Sequence, residues 1–376
     1  MADPSPQPDP SADRAAAAPL FEPFRLTGPA SLDLRNRVVM APMTRRLAPD
    51  DRAPDDRIAA YYERRAREGV GLIITEGSHI DDEHAPDSEN VPGMFTHAHV
   101  VGWRRVTERV VDAGGAIALQ LWHTGRHAMR PIGPSPIPAP KRDGGLKPTP
   151  REMSSGDMVA VRDAFAHAAE LARLAGFDAV EVHGAHGYIL DSFVSARSNQ
   201  RTDAYGGSFA NRTRYPLEVL RAVRRSVGPD FPIIYRFSQW KVDDPSAVNY
   251  PDPDTLSTWV TALRDAGANV LHVSTRDATE PAFDGSTNTL AGWTRHLSGL
   301  PVIAVGSVTL STAMTTAEPA RVTDPAPAAK LVADDEADLV AVGRALIANP
   351  DWCAKVRAGR WRELTPYDPA MLKELA

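Results

Sequence analysis

The chain has 376 residues, of which 43% are hydrophobic and 24% are charged, and its net charge is −6. This composition is typical of a folded globular protein with a substantial core, and the interspersed charges do not indicate a nucleic-acid partner. A single cysteine, Cys353, excludes an intramolecular disulfide and a cysteine cluster for zinc or iron–sulfur. No apolar run reaches the roughly 18–20 residues that span a bilayer, and the N-terminus lacks a signal-peptide pattern. We therefore expect a cytoplasmic protein without a membrane partner.

The first 18 residues differ in composition from the rest of the chain. Residues 1–18 are rich in Pro, Ala, Asp and Ser and show no apolar periodicity, which predicts a disordered tail. Residues 19–376 are predicted to form a single domain. It begins with two short alternating segments, FRLTG (24–28) and LDLRN (32–36), which predict a small hairpin.

Eight short, nearly continuous apolar segments follow, a pattern that favours parallel strands covered by helices. They are RVVMAP (37–42), GLIITEG (71–77), AIALQLW (116–122), DAVEVHG (178–184), PIIYRFS (232–238), NVLHVS (269–274), PVIAVGS (301–307) and ADLVAVGR (337–344). Helical patterns lie between them, at 56–69, 96–114, 157–176, 217–228 and 254–267. This alternation predicts an α/β fold, a (β/α)8 TIM barrel with long βα loops. The alternative is a doubly wound open sheet, but neither of its usual glycine-rich nucleotide motifs occurs at a strand–helix junction.

Two connections are longer than a minimal βα loop. The Pro-rich run at 131–150 is predicted to act as a lid or as a wall of the substrate pocket. The Thr/Ala/Pro-rich segment 307–336 is predicted to be an insertion before the last helix, and the sequence does not indicate its role.

The segment HGAHGYILDSF (183–193) follows the fourth predicted strand and carries His183, His186 and Tyr188. In a barrel, side chains at the C-terminal ends of strands carry the chemistry. Two imidazole N–H groups can stabilise negative charge on one carbonyl oxygen, and a protonated phenol can donate a proton to a carbanion-like centre. A packing role and a zinc site remain open on this pattern alone, although zinc normally takes a third ligand.

Two further strand ends carry polar side chains. Gln120 ends the third predicted strand, and its amide can both donate and accept, as the edge of a pyrimidine-like ring demands. Arg236 ends the fifth and requires an anion in the barrel mouth. The alternatives are a structural hydrogen bond inside the barrel for Gln120 and an ion pair with Glu181 for Arg236.

The seventh and eighth predicted strands end in Gly306-Ser307 and Gly343-Arg344. Barrels commonly bind a phosphate here with main-chain N–H groups and a helix N-terminus, and an arginine adds a bidentate contact. The sequence therefore predicts a phosphorylated ligand at this position.

Together these segments resemble the old yellow enzyme family of FMN-dependent NAD(P)H oxidoreductases, from Leu20 to about Trp352. The resemblance is carried by RNRVVMAPMTR (35–45), ITEGSHI (74–80), QLWHTGR (120–126), PREMS (150–154), VEVHGAHGYILDSFVSARSNQRTDAYGGSFANRTRYPLEV (180–219), VGSVT (305–309) and DLVAVGRALIANPDW (338–352). The central stretch is the most specific of these. The sequence departs from the family in the long 307–340 segment and in the aromatic-rich YRFSQWKVDD (235–244), whose Trp240 could reach the pocket.

The resemblance implies a role for each candidate residue. The residues implied to hold a tightly bound, non-covalent FMN are Pro42, Met43, Thr44, Gly77, Gln120, Arg236, Gly306, Gly343 and Arg344. His183 and His186 would bind the substrate carbonyl, Tyr188 would protonate the α-carbon, and Trp122 would shape the substrate pocket. No metal site is predicted.

The implied activity is a ping-pong ene-reductase that takes hydride from NADPH or NADH and reduces the C=C bond of enone-type small molecules. A monomer or a homodimer is expected. Two other functions are weighed against it: a barrel lyase or isomerase on a phosphorylated substrate, and a flavin-binding sensor without turnover. The former would require a lysine or a carboxylate cluster at the strand ends, and neither is evident in the sequence.

Overall fold

The N-terminal segment contains a helix, α1 (Pro10–Ala17). The side chain of Asp9 accepts hydrogen bonds from the first-turn N–H groups, Pro10 occupies the first turn, and Ala17 is buried. The helix packs against the helices at Ala326–Ala333 and Trp352–Arg357. The prediction of a disordered tail over residues 1–18 is therefore wrong for 10–17, because a side-chain cap and tertiary packing stabilise a segment with no periodicity of its own. Residues 1–8 of that prediction lie outside the described residues.

The structure is a computed structural model that describes residues 9–81, 83–141, 144–311 and 320–376. After a 3-10 turn at Ala18–Phe21, β1 (Phe24–Leu26) and β2 (Leu32–Leu34) form the predicted antiparallel hairpin. It is followed by a closed barrel. The barrel strands are β3 (Val38–Met40), β4 (Leu72–His79), β5 (Ala116–Trp122), β8 (Ala179–His183), β9 (Ile233–Ser238), β10 (Val270–Ser274), β11 (Val302–Val305) and β12 (Leu339–Val342).

Every neighbouring pair of barrel strands is parallel, and β12 pairs with β3 to close the ring. This closure confirms the TIM barrel and excludes the open sheet. The strands are buried on both faces, which explains their continuous apolar sequences.

Helices surround the barrel. They are α2 (Asp56–Arg67), α3 (His97–Asp112), α4 (Ser155–Leu174), α5 (Ile189–Val194), α6 (Phe209–Val227), α7 (Pro253–Asp265), α8 (Leu290–Ser298), α9 (Ala326–Ala333), α10 (Arg344–Ala348) and α11 (Trp352–Arg357), with 3-10 turns at Gly125–His127, Trp361–Glu363 and Pro369–Lys373. Helix α6 begins eight residues before the predicted start at Leu217, because Ser208 caps it through the N–H of Asn211 (3.2 Å) and Pro216 is accommodated inside it. Within the described ranges, no helix is long and apolar enough to cross a membrane.

The two long connections are tied to the barrel mouth. β6 (Ile132–Gly133) pairs with β7 (Arg151–Glu152) at the ends of the Pro-rich run, and Nζ of Lys147 donates to the carbonyl oxygen of His127 (3.2 Å). In the 307–336 segment, the N–H of Thr323 donates to the carbonyl oxygen of Thr309 (3.1 Å), and residues 312–319 lie outside the described residues.

Candidate functional site

The C-terminal ends of the barrel strands surround a cavity. It is lined by residues from β3, β9, β10, β11 and β12 and from the connections that follow them. Among the predicted cofactor residues, those that line it are Pro42, Met43, Arg236, Gly306, Gly343 and Arg344, and Trp240 lines it as well. The ends of five separate strand segments named in the sequence analysis therefore meet at one mouth, as expected for a TIM barrel.

His183 ends β8 and is buried. Its Nδ1 accepts a hydrogen bond from the N–H of Ala185 (3.3 Å), which assigns the ring proton to Nε2. Among the described residues, Nε2 has no hydrogen-bond partner. Burial, followed by the charge of Arg236, holds the pKa of His183 well below its usual value. The ring is therefore a neutral N–H donor at pH 7.

His186 lies in the turn after β8 and adopts a left-handed backbone conformation (φ 65°). Its ring is edge-to-face with that of His183, with the centroids 5.1 Å apart, and its Nε2 contacts the hydroxyl of Ser274 (2.8 Å). Burial and the charge of Arg236 also hold the pKa of His186 well below its usual value. The sequence predicts that both histidines donate to one carbonyl oxygen. In the structure, Nε2 of His183 is available as a donor, whereas Nε2 of His186 already contacts the Ser274 hydroxyl.

Tyr188 stands beside His183, with the ring centroids 5.0 Å apart and the planes nearly perpendicular. Its ring also meets those of Trp122 (5.1 Å) and His127 (5.5 Å) edge to face. Its surroundings raise the pKa of the phenol above its usual value, first by desolvation and then by the charge of Asp87. Tyr188 therefore keeps its proton at neutral pH and above.

Trp122, at the end of β5, forms a wall beside these groups. Its ring stacks on that of His79 (5.3 Å), and its indole Nε1 is buried without a partner among the described residues. A Cβ atom on Gly77 would lie 2.6 Å from the Trp122 ring. Gly77 is thus needed for the packing of Trp122, whatever else it contacts.

The connection after β9 is fastened to the His186 turn by a buried ion pair that the sequence analysis did not identify. Nζ of Lys241 lies 2.8 Å from Oδ2 of Asp191, and the same carboxylate accepts from the N–H of Gly187 (2.6 Å) and from Asn249 (3.0 Å). The N–H of Val242 donates to the carbonyl oxygen of His186 (3.1 Å). This arrangement holds the turn in its left-handed conformation.

Trp240, in the same connection, reaches the cavity. Its ring lies 4.4 Å from that of His186, and the hydroxyl of Ser238 accepts from the N–H of His186 (2.9 Å) and donates to the carbonyl oxygen of Trp240 (2.7 Å). The connection therefore supplies both a wall of the cavity and a support for the histidine.

Arg236 is buried in the barrel mouth, and its Nε has no partner among the described residues. Arg236 does not form the alternative ion pair with Glu181. Glu181 accepts instead from Nε2 of Gln120 (2.8 Å) and pairs with Nδ1 of His272 (2.5 Å). Gln120 thus has the structural hydrogen bond that was its alternative role, whereas Arg236 remains a buried cation beside an open cavity.

Gly306, Gly343 and Arg344, at the ends of β11 and β12, also line the cavity. A Cβ atom on Gly306 would lie 2.7 Å from the main-chain N of Ala278 and from the Thr275 hydroxyl, so only glycine fits there. The guanidinium of Arg344 lies over the ring of Tyr367, 5.2 Å from its centroid. Among the described residues after β11, the first helix begins at Ala326, and the described residues directly after Gly306 offer main-chain groups of a turn.

The segment after β3 brings Pro42 and Met43 to the cavity, and Thr44 follows them, partly exposed. Oε2 of Glu76 accepts from the N–H of Arg45 (2.9 Å) and so holds the end of this segment against β4. Burial raises the pKa of Glu76 to about 7. The sequence analysis did not identify Glu76 as a functional residue. Its partner, the main-chain N–H of Arg45, is 31 residues away in the sequence, and no motif around Glu76 indicates this contact.

The zinc alternative for the histidine pair finds no support. Within the part of the chain that the structure describes, no group of three or more His, Cys, Asp or Glu side chains could hold a metal ion. Nδ1 of His183 and Nε2 of His186 are moreover occupied by Ala185 and Ser274.

Comparisons with known proteins agree on one family. Residues 19–363 match the model of a family described as the NADH:flavin oxidoreductase / NADH oxidase family. An NADH oxidase of Thermoanaerobacter brockii is 35% identical over 89% of this chain, and the chain spans half the length of that relative. A 12-oxophytodienoate reductase 7 of Oryza sativa subsp. japonica is 32% identical over 93% of this chain and 91% of its own.

A solved structure of morphinone reductase in complex with tetrahydroNAD is similar throughout. Its TM-score is 0.77 and its identity 32%, and the match covers 94% of this chain and 93% of that one. The similarity in sequence and in structure therefore extends over the whole barrel and over the strand ends described above.

Proposed function

The chain belongs to the NADH:flavin oxidoreductase / NADH oxidase family, the old yellow enzyme family, whose cofactor is FMN and whose reductant is NAD(P)H, and on this premise we propose that it is an ene-reductase. The proposed reaction is the reduction of the C=C bond of α,β-unsaturated carbonyl compounds by a ping-pong mechanism. The proposal extends to the roles of the individual side chains.

The residues of the cavity fit FMN. The buried guanidinium of Arg236, with an Nε that has no partner within the described residues, suits an anionic or carbonyl-rich ring edge. Gly306, Gly343 and Arg344 suit a phosphate, because main-chain groups are accessible where a Cβ atom is absent and a guanidinium is at hand. Pro42, Met43, Thr44, Gly77 and Gln120 are proposed to contact the ring system.

FMN supplies the acceptance and return of a hydride when it is bound, and the protein supplies position and charge. His183 donates its Nε2–H to the oxygen of the substrate carbonyl, which draws electrons from the alkene. Because the ring is neutral, it stabilises charge on this oxygen without protonating it. His186 is the second proposed donor, and binding would require its Nε2 to exchange the Ser274 hydroxyl for the substrate oxygen.

Tyr188 is the proposed proton donor to the α-carbon. Its ring is in contact with that of His183, so a carbonyl at His183 Nε2 brings the adjacent carbon toward the phenol. Its raised pKa keeps the proton available. The juxtaposition of a neutral imidazole donor and a protonated phenol is the single observation that carries the proposal.

A stopped-flow experiment tests the function in its two halves. The purified protein is expected to absorb at about 450 nm, the absorption band of an oxidised flavin. Anaerobic mixing with NADPH or NADH should bleach it, and 2-cyclohexenone should restore it after the oxidised nicotinamide has left. The steady-state double-reciprocal plots should then be parallel, as a ping-pong mechanism requires.

Three other outcomes would redirect the proposal. Protein without a flavin band would favour the lyase or isomerase on a phosphorylated substrate. A flavin that NAD(P)H does not reduce would favour the sensor. A flavin that is reduced but is not reoxidised by any enone in a panel would remove the alkene as substrate.

A further inference from the structure

The interior of the barrel changes from apolar to polar just below the mouth. Four neighbouring strands, β5, β8, β9 and β10, each contribute one residue to the inner apolar cluster, namely Ala118, Ala179, Ile234 and Val270. Two residues further along the same strands, and therefore on the same face, lie Gln120, Glu181, Arg236 and His272. We call these four residues the polar layer. TIM-barrel interiors are normally filled by branched apolar side chains, so this layer requires an explanation.

The polar layer adjoins the floor of the cavity described above. On three of the other strands, the inward face reaches the cavity at Ala41, Val305 and Ala341. Arg236 lines the same cavity, whereas Glu181 is fully buried beneath the mouth. The charges of the layer therefore lie directly below the space that fits FMN.

Glu181 is the centre of the hydrogen bonds within the layer. Its Oε1 accepts from Nε2 of Gln120 (2.8 Å), and its Oε2 lies 2.5 Å from Nδ1 of His272. Because a carboxylate only accepts, the proton of this second bond is assigned to Nδ1 of His272. His272 is in register with Arg236 on the neighbouring strand. The carboxylate and the guanidinium thus flank the same imidazole.

His272 adds no charge of its own to the layer. Burial lowers the pKa of His272 below its usual value, although Glu181 acts in the opposite direction. With the proton on Nδ1, its Nε2 has no partner within the described ranges. The charge of Glu181 also acts on Arg236, where it opposes the lowering of the pKa by burial. The polar layer therefore consists of one cation, one anion and two neutral groups.

The balance between these two charges affects how strongly the site holds a hydride. The hydride that FMN accepts adds one negative charge to the flavin, and the Arg236 guanidinium favours that charge. The Glu181 carboxylate opposes it. Arg236 alone would stabilise the reduced flavin further and so make the return of the hydride to an alkene less favourable.

We propose that Glu181, held by Gln120 and His272, is a buried counter-charge to Arg236 that lowers the reduction potential of the bound FMN and thereby favours the return of the hydride to the alkene. Glu181 acts through its charge, so it is a positioning residue. The inference rests on the proposed ene-reductase function and on the proposed contact of Arg236 with the flavin. It explains a buried ionised side chain that fold stability does not require, since an apolar residue at such a position is often as stable.

The readout is the reduction potential of the holoenzyme, measured without oxygen against a dye of known potential. Glu181→Gln keeps the shape of the side chain and removes its charge. The equilibrium between oxidised and reduced flavin should shift at least about tenfold toward the reduced form, which raises the potential by about 30 mV for a two-electron couple. An effect of this size is expected because a unit charge acts over several ångströms in an interior with an effective dielectric constant of about 20.

Two further variants separate the charge of Glu181 from its packing. His272→Gln keeps an N–H donor for Glu181 and should keep the wild-type potential, because His272 is neutral. The double variant Glu181→Gln/His272→Gln replaces the pair with two amides that can hydrogen-bond each other. It should raise the potential as much as Glu181→Gln does, and it decides the question if the single variant does not fold.

Asp338→Asn is the matched control for the loss of a carboxylate from the barrel. Asp338 directly precedes β12, and its Oδ2 accepts from the N–H of Val302 (2.9 Å) at the N-terminal end of β11, away from the mouth. This variant should keep the wild-type potential.

The two half-reactions provide a second readout for Glu181→Gln. Reduction of the flavin by NADPH should proceed at least as far as in the wild type, and reoxidation by 2-cyclohexenone should slow several-fold. A merely structural role of Glu181 would slow both halves and leave the potential unchanged.

The outcomes separate this inference from the function on which it rests. If 2-cyclohexenone is reduced by the wild type but neither Glu181 variant raises the potential, the counter-charge is overturned and the function stands. If His272→Gln raises the potential as much as Glu181→Gln, the imidazole sets it and the proposal is likewise overturned. If no enone reoxidises the flavin, the ene-reductase function falls, and a raised potential in Glu181→Gln would still support the counter-charge.

Discussion

On the side formed by β3, β11 and β12, the barrel mouth presents mostly main chain and small residues to the cavity. The turns after β5, β8 and β9 instead carry large side chains whose rings pack on one another. The first side depends on absent Cβ atoms, as at Gly306, and on one arginine at its edge. The second depends on rings and on buried ion pairs, as between Lys241 and Asp191. The strand itself fixes the orientation of main-chain groups, whereas a side chain needs contacts with neighbouring residues to fix its orientation.

This difference predicts two distinct classes of defect. A change on the side-chain wall should alter turnover or ligand binding while FMN stays bound. A change on the main-chain wall should release FMN while the remaining holoenzyme turns over normally. Four substitutions follow, starting with the largest expected effect. The first three test this separation, and the fourth tests a support beneath the main-chain wall.

Tyr188→Phe removes the proposed proton donor. Reduction of the bound flavin by NADPH should be unchanged, and reoxidation by 2-cyclohexenone should slow by about 10²–10⁴-fold, the usual contribution of a positioned acid. Stopped-flow absorbance measures both halves. Tyr205→Phe is the control, since the hydroxyl of Tyr205 contacts Glu218 (3.3 Å) outside the site. Equal slowing of both halves would contradict the role of proton donor.

Lys241→Met leaves the Asp191 carboxylate buried without its cation. The free energy of unfolding should fall by about 3–5 kcal/mol, as when one partner of a buried ion pair is removed. Titration with a phenol should show weaker binding, because the turn that carries His186 loses its support. Lys355→Met, which breaks the more exposed pair with Asp351 (3.1 Å), should cost less than about 1 kcal/mol. Unchanged phenol binding would show that the ion pair does not position His186.

Arg344→Ala removes the guanidinium proposed to bind the FMN phosphate. The Kd for FMN should rise by about 10–100-fold, which corresponds to about 1.5–3 kcal/mol for a hydrogen bond to a charged group. Fluorescence titration of the apoprotein with FMN measures it, and Arg360→Ala, an exposed arginine paired with Glu363, is the control. Full retention of FMN by the variant would mean that the phosphate lies elsewhere.

Glu76→Gln addresses the support beneath the main-chain wall. Burial raises the pKa of Glu76 to about 7 from an ordinary 4.5, so the folded protein holds this proton more tightly than the unfolded chain does. The contribution of Glu76 to stability is therefore greatest at low pH and falls as the pH rises from about 4.5 to 7, by at most about 1.4 kcal/mol per pH unit. Denaturant unfolding at several pH values should show a smaller decline for the variant. An identical decline would place the titration in another group.

The fold could be predicted because the apolar pattern of each strand lies within a short segment of the sequence. Each of the eight apolar segments became a barrel strand, and the 116–122 segment matched β5 at both ends. The failures occurred where tertiary contacts decide: α1 depends on the Asp9 cap and on packing, and the first turns of α6 depend on Ser208. Neither leaves a periodic pattern in the sequence.

The candidate site divides in the same way. His183, His186 and Tyr188 could be identified because they lie within six residues at a strand end. The pair between Lys241 and Asp191 joins positions 50 residues apart, and the contact between His186 and Ser274 spans 88. Only the closed barrel brings such positions together, so no spacing rule reveals them.

The pairing of β3 with β12 also has a consequence for when the protein can acquire its cofactor. Val38 pairs with Val340, so the wall that carries Pro42 and Met43 meets the wall that carries Gly343 and Arg344 only after about 300 further residues have been made. At the usual rate of about 5–20 residues per second, translation of that stretch takes about 15–60 s. During this interval β3 has an unpaired edge, which is exposed to mispairing. FMN that binds across both walls would stabilise the completed ring and not the growing chain, so the supply of flavin should affect the yield of folded protein at the last step of its synthesis.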